Sequence, residues 1–111
     1  MENGPGHVFR VTLRMEVARG MAETFEKVWL GVGNTIAGET DNLGQWLLKS
    51  ADDDDVYYVV SDWQGEPSFR AFERSAQHAE NRRKLSPYRL ASSMSTAHLV
   101  FELPKVKALP R

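Results

Sequence analysis

Residues 7 to 17, "HVFRVTLRMEV", alternate strictly: Phe9, Val11, Leu13, Met15 and Val17 fall on one side, Arg10, Thr12, Arg14 and Glu16 on the other. A period of two is that of a half-buried strand. "ARG" breaks it, and from Met21 the period changes. Met21, Phe25, Val28, Trp29, Val32 and Ile36 are spaced as one apolar stripe of a helix. Gly31 and Gly33 inside that stripe each cost about 1 kcal/mol relative to alanine. They mark either close packing on a sheet or fraying of the last turns, and "GETDN" ends the helix. "LGQWLLKS" (43–50) and "VYYVVSDW" (56–63) read as two further strands, rich in β-branched and aromatic residues. Between them Asp52 to Asp55 cannot be buried cheaply, so the pair is an antiparallel hairpin with an acidic turn. "GEPSFRAFERS" predicts a short helix begun by Pro67, with Phe69 and Phe72 on its inner face. Ser75 caps a further helix, "AQHAENRRKL", which Pro87 stops. "SSMSTAHLVFEL" (92–103) predicts the last strand.

The order β-α-β-β-α-(α)-β describes an antiparallel sheet with helices on one face, an α+β sandwich of the ferredoxin-like kind. At 111 residues, 41% hydrophobic and 10% aromatic, the chain suits one domain with one core. That domain is expected over 7–103, between a loose polar tail at 1–6 and a proline-closed tail at 104–111. Helices can cover only one sheet face, yet the strands carry apolar or bulky residues on both. A homodimer with its two open faces packed together is the expected answer. Arg10 and Arg14 would lie in that seam, with Glu16 or Glu102 as partners.

Charge and residue types narrow the chemistry. A formal net charge of −1 gives no long-range attraction to nucleic acid or an anionic membrane. The absence of cysteine removes thiolate nucleophiles, thiolate metal sites and disulfides, and fits a reducing cytoplasm. "MENGPGHVFRV" lacks the basic and apolar segments of a signal peptide, and no apolar run approaches the roughly 18 residues of a membrane span. The run Asp52–Asp55 lacks the alternate ligands, glycine and distal glutamate of a calcium loop. No histidine–carboxylate set has metal-ligand spacing, no serine sits in a nucleophile elbow, and "GVGNTIAG" falls within and after a helix rather than in a phosphate loop.

Two stretches, "FRVTLRMEVARGMAETFEKVW" and "YYVVSDWQGEPSFRAFERSAQH", carry a resemblance when set in this element order. In the second, a tryptophan closes strand three and phenylalanine, serine and histidine follow. Over about residues 8–103 the chain resembles the antibiotic biosynthesis monooxygenase family, the dimeric α+β barrel group. Within it the chain looks most like the small proteins encoded beside aromatic polyketide synthases, including those for spore pigments. The resemblance implies a cofactor-independent monooxygenase that turns an anthrone- or hydroquinone-like aromatic polyketide into a quinone. Molecular oxygen would be the co-substrate, with neither metal nor flavin. It also implies a substrate lying between sheet and helices, lined by the indole of strand three, here Trp63. Some quinone-forming members carry an asparagine four residues before that tryptophan and a tyrosine six after; Val59 and Phe69 stand here, so two hydrogen-bonding groups are missing. Tyr57, Tyr58 or Tyr88 would have to compensate.

Each candidate also has a plainer reading. Trp63 can stack on a fused aromatic substrate and donate its N–H to a developing oxyanion, or it can be core at a strand end. His78 is the candidate base, since an ordinary pKa of about 6.5 suits proton abstraction near neutrality; otherwise it is a surface or capping residue. His98 comes second, and His7 lies in the tail. Arg82 and Arg83 point about 100° apart, so one at most faces inward to steady an enolate or carboxylate; a solvated helix face is the other reading. The expected site is thus His78 and Trp63 as catalytic groups, with Tyr57, Val59, Phe69, Phe72, Arg82 and Trp29 around the substrate. Two rivals remain: a polyketide-binding module that assists cyclisation without oxygen, and a structural dimer of a synthase complex. A pocket packed shut by Trp29, Trp63, Phe69 and Phe72 would favour the second.

Overall fold

The alternation of the first strand sets the architecture. In the computed structural model, which describes residues 8–105, β1 (Phe9–Val17) pairs antiparallel with β3 (Val56–Trp63) on one side and β4 (Arg89–His98) on the other. β2 (Asn42–Lys49) pairs with β3, giving the sheet order β2-β3-β1-β4. α1 (Ala22–Ala37), α2 (Glu66–Glu73) and α3 (Ala76–Leu85) make the connections, and a 3₁₀ turn at Ser86–Tyr88 leads into β4. This is the expected ferredoxin-like α+β fold. The expectations for residues 1–6, for His7 and for the end of the C-terminal tail lie outside the described residues.

Register decides which residues face the helices. Phe9, Val11, Leu13 and Met15 stand opposite Trp63, Ser61, Val59 and Tyr57. Most of this set is buried, and α1 adds Phe25, Trp29 and Val32 from above. The other face carries Arg10 opposite Asp62 and Thr12 opposite Val60, with Trp46 beside Val60 on β2. There Arg10 makes a bidentate pair with Asp62, Nε–Oδ1 2.7 Å and Nη2–Oδ2 2.8 Å. Arg10 therefore takes Asp62, not the expected Glu16 or Glu102; Arg14 does take Glu16, at 2.8 Å. Cross-strand position explains the choice, because the two members of a pair stand side by side.

The acidic turn behaves as its composition demands. Ser50 Oγ accepts from the N–H groups of Asp52 and Asp53, and Asp53 Oδ1 accepts from the N–H of Asp55. Ser75 caps α3 by accepting the N–H of His78 at 3.1 Å.

The fourth strand differs from its sequence reading. It begins at Arg89 instead of Ser92 and stops at His98 instead of Leu103. Pairing explains both ends: Val17 of β1 reaches back to Arg89, and Phe9, where β1 starts, stands opposite His98. Past the Leu99 N–H to Val8 carbonyl bond, at 2.8 Å, no strand among the described residues is left to pair with. Val100, Phe101 and Leu103 are accordingly exposed, at 70%, 84% and 90%.

The two helical glycines separate into two cases. A Cβ on Gly33 would sit 3.0 Å from the Trp29 ring, while one on Gly31 would meet nothing within 4 Å. Gln45 Nε2 also donates to the Gly33 carbonyl at 2.8 Å, so the helix and β2 approach closely there. Gly31→Ala is expected to stabilise the fold by about 0.5–1 kcal/mol. Gly33→Ala, overpacked against a rigid ring, should destabilise it by about 1–3 kcal/mol. Urea denaturation midpoints moving in opposite directions would confirm the assignment; a shared direction would refute it.

Candidate active site

A cavity of about 240 Å³ lies between the sheet and the helices. Ligand pockets usually run to roughly 300–1,000 Å³, so this one suits a single small ligand. Its sheet side is built from Val11, Leu13, Met15, Val59, Ser61 and Trp63, and its α1 side from Trp29, Val32 and Ile36. Phe69, Phe72 and Glu73 enter from α2, and His78, Asn81, Arg82 and Leu85 from α3. Arg89, Ser92 and Met94 complete it from β4. Ser92 and Met94 are exposed, so the cavity opens to solvent on the β4 side.

Trp63 is fixed tightly. It is 2% exposed, with its ring centroid 5.0 Å from that of Phe72 and 5.8 Å from that of Phe69, edge-on to the latter. Its Nε1–H donates to Ser61 Oγ at 3.0 Å. The expected donation from the indole to an oxyanion is corrected by this bond: the proton is already engaged by a residue two positions back on the same face. What Trp63 offers the cavity is its aromatic surface.

His78 sits in the first turn of α3, its ring edge-on to Phe72 at 5.2 Å and 70°. Burial pushes its pKa below the ordinary value, and the positive charge of Arg82 pushes the same way; Glu73 opposes them more weakly. The imidazole is therefore neutral at pH 7 and has a lone pair for a proton. Glu73 is itself held at 3.1 Å by Arg70, which also reaches Glu66.

Of the two adjacent arginines, Arg82 lines the cavity while Arg83 turns outward and holds Glu80. Trp29, Val59, Phe69 and Phe72 join the same wall, as the sequence reading placed them. Tyr57 does not, and that expectation is corrected. It is 1% exposed within the core, its ring 4.9 Å from that of Phe25 and its hydroxyl donating to Glu26. Burial and the neighbouring Glu26 carboxylate push its pKa up, so it stays a neutral structural donor. Tyr58 projects from the open sheet face, and His98 packs edge-on against Phe9 at 5.3 Å without lining the cavity.

Sequence reasoning missed Ser61, Glu73, Asn81, Arg89 and Ser92. For Asn81 a signal existed: it lies three residues after His78 and four before Leu85, on the same helix face. Ser61 shares a sheet face with Trp63, two residues on, but nothing in the sequence distinguishes its hydroxyl. Among the described residues no group of three histidine, aspartate or glutamate side chains gathers as a metal site would require. Nor is any helix among them long and apolar enough to cross a membrane.

The fold has close structural counterparts. The cofactor-independent oxygenase SnoaB from Streptomyces nogalater superposes with a TM-score of 0.79 at 19% identity, over 89% of this chain and 99% of that one. A conserved protein from Methanosarcina mazei gives 0.76 at 14% identity, over 83% and 92%. A protein from Pseudomonas aeruginosa gives 0.73 at 12%, over 86% and 97%. At these identities the likeness is one of fold. No curated protein matches the sequence significantly. Residues 8–84, well over half of the chain, match the profile of the antibiotic biosynthesis monooxygenases. The chain belongs to the antibiotic biosynthesis monooxygenase family.

Proposed function

We propose that the protein is a cofactor-independent monooxygenase that oxidises an anthrone- or hydroquinone-like aromatic polyketide to a quinone, with molecular oxygen as co-substrate. One observation carries this reading: a cavity walled by aromatic rings presents a histidine whose charged form is disfavoured. Such a group is a base that a bound substrate would shield from water, and an anthrone-like substrate supplies an acidic C–H.

The chemistry balances without a resident redox group. His78 takes one proton from the reactive carbon or its phenol, leaving an electron-rich carbanion. That carbanion gives its electrons to oxygen, and the peroxide formed recovers the proton from the imidazolium. Loss of water, which carries off the second hydrogen of the carbon and one oxygen atom, leaves the carbonyl of the quinone. The rings of Trp63, Phe69, Phe72 and Trp29 hold the substrate flat. Val59 completes that wall, and Arg82 lies where it can steady negative charge.

A second copy of the chain belongs to this reading. Trp46 and Leu48, each 47% exposed on the open sheet face, and the exposed Phe101 and Leu103 offer an apolar surface that a homodimer would cover. The cysteine-free composition agrees with a place in the cytoplasm. Of the rival readings, a structural dimer would be favoured by a pocket packed shut, and the cavity gives it no such support. A binding module that guides cyclisation is favoured by Val59 and Phe69 standing where hydrogen-bonding groups would serve the oxygenase.

Incubation with an anthrone-type polyketide under labelled oxygen is expected to give a quinone containing one labelled atom, far faster than without protein. His78→Ala should slow turnover by roughly 10²–10⁴-fold, and Trp63→Phe by roughly tenfold. Wild-type rates in both variants would place the chemistry elsewhere. Unlabelled, differently cyclised products would favour the binding module.

The pH profile has a fixed sign. His78 must be neutral to accept a proton and its pKa is lowered, so kcat/KM rises through an apparent pKa below 6.5 and is level at pH 7. Arg82→Gln removes a positive charge that disfavours the imidazolium, so the acid limb should move to higher pH. NMR titration of the His78 ring should report the same shift with no substrate present. An unmoved titration would show that Arg82 does not act on it.

For assembly, Trp46→Glu should convert a dimer into monomers in analytical ultracentrifugation. A wild-type chain that sediments as a monomer would remove the dimer from this reading.

A further inference from the structure

Two buried amide atoms lack a hydrogen-bond partner among the described residues, Gln45 Oε1 and Asn81 Nδ2. Of these two residues only Asn81 forms part of the cavity wall. It is 3% exposed, on a helix otherwise made largely of charged and solvated side chains. Its Oδ1 lies 2.9 Å from Gln77 Nε2 and 3.2 Å from Thr35 Oγ1. Thr35 has a single hydroxyl proton, and the Val32 carbonyl at 2.7 Å is its nearer acceptor. The Thr35 oxygen is then free to accept, which turning the Asn81 amide over would satisfy, with Gln77 turned to match. That exchange leaves Oδ1 unpaired in place of Nδ2. Either way one atom of the Asn81 amide has no partner among the described residues. A buried amide in that state costs stability, and an aliphatic residue would pack the spot without it.

Ser61 faces the same cavity from β3 and is 9% exposed. Its oxygen accepts from Trp63 Nε1 at 3.0 Å, and its own O–H makes no hydrogen bond among the described residues. The indole thus fixes the Ser61 oxygen and leaves its O–H to be given elsewhere. One unused hydrogen-bonding group therefore belongs to a residue on the sheet side of the cavity and one to a residue on the α3 side, the Asn81 atom being covered and reached by a ligand only when its side chain turns.

We propose that Asn81 and Ser61 are the two polar anchors of the cavity, and that together they select a flat aromatic ligand bearing oxygen substituents at two separate edges. The aromatic part of this inference rests on the function proposed above; the two anchors follow from their unspent bonds. Ser61 donates to a carbonyl or phenolate oxygen. The Asn81 amide, which can present either end, meets a hydroxyl or a carbonyl at the other edge. These two bonds stand in for the hydrogen-bonding groups that Val59 and Phe69 cannot supply.

Equilibrium dialysis with 1,5-dihydroxynaphthalene and with naphthalene tests this without any turnover. Wild-type protein should hold the diol at least about tenfold more tightly, the scale of one or two well-made hydrogen bonds. Asn81→Leu and Ser61→Ala should each lose most of that preference and keep naphthalene binding within about twofold. Should Asn81→Leu fold poorly, the side-chain amide signal of Asn81 in the wild-type NMR spectrum gives the same answer, moving with the diol and staying still with naphthalene. No preference for the diol in the wild type, or a preference unchanged in both variants, overturns the proposal. The oxygenase reading fails separately: diol selectivity that depends on Asn81 and Ser61, with no labelled quinone from an anthrone, would leave the anchors standing and the oxidation wrong.

Discussion

Two aromatic clusters, one at each end of the β1–β3 ladder, hold the helices off the middle of the sheet. At one end Phe9 and Val11 pack with Trp63, Phe69 and Phe72. At the other Met15, Val17 and Tyr57 pack with Phe25, Trp29, Val32 and Leu85. Between them the ladder carries Leu13 opposite Val59, both only partly buried, and Ile36 of α1 touches both clusters. Large rings at the ends and shorter side chains in the middle leave room for the cavity. A void in an apolar interior forfeits dispersion contacts, so it persists only where rigid groups keep its walls apart. Trp29 and Trp63 are such groups, and Gly33 under the Trp29 ring is a consequence of the same arrangement.

The electrostatics of the cavity depend on where its charges are already spent. Arg70 reaches both Glu66 and Glu73, so the Glu73 carboxylate is partly compensated before it acts on His78. Arg82 shares the wall with His78, and its charge falls on the imidazole with burial working in the same direction. The helix dipole adds to this: His78 lies in the first turn of α3, where the N-terminal end disfavours a cation. Three separate effects therefore keep one histidine neutral, and the weaker opposing effect of Glu73 does not reverse them.

Much of this was legible in the chain, for reasons that also explain what was not. A strand with one buried face writes its period into the sequence, so β1 and its inward set Phe9, Val11 and Leu13 followed from alternation, whereas the pocket side of Trp63 came from the family resemblance. Capping was equally local, as with Ser75. Tyr57 was misplaced because alternation gives a face, not a position along it; it lies at the Phe25 end, beyond the cavity. The extent of β4 depends on where β1 starts and ends, a non-local fact, so its pattern of small residues gave the wrong limits. Asn81 and Ser61 were missed because what matters about them is an unspent hydrogen bond, and only the surrounding atoms reveal that.

The open sheet face bears on the site through the same strand. Asp62 points away from the helices and Ser61 and Trp63 point towards them, so the residues that face outward and those that line the cavity are consecutive. Asp62 is bound bidentately by Arg10, whose guanidinium lies 6.0 Å from the centre of the Trp46 ring. Burying an ion pair is costly when its hydrogen bonds must be found on association, and less so when both already exist in the free chain. A partner laid on Trp46 and Leu48 would therefore meet a face whose charges are already matched. It would also restrain the end of β3, which carries Ser61 and Trp63. Loss of the Arg10–Asp62 pair would loosen that strand end from outside, with no contact between either residue and the ligand.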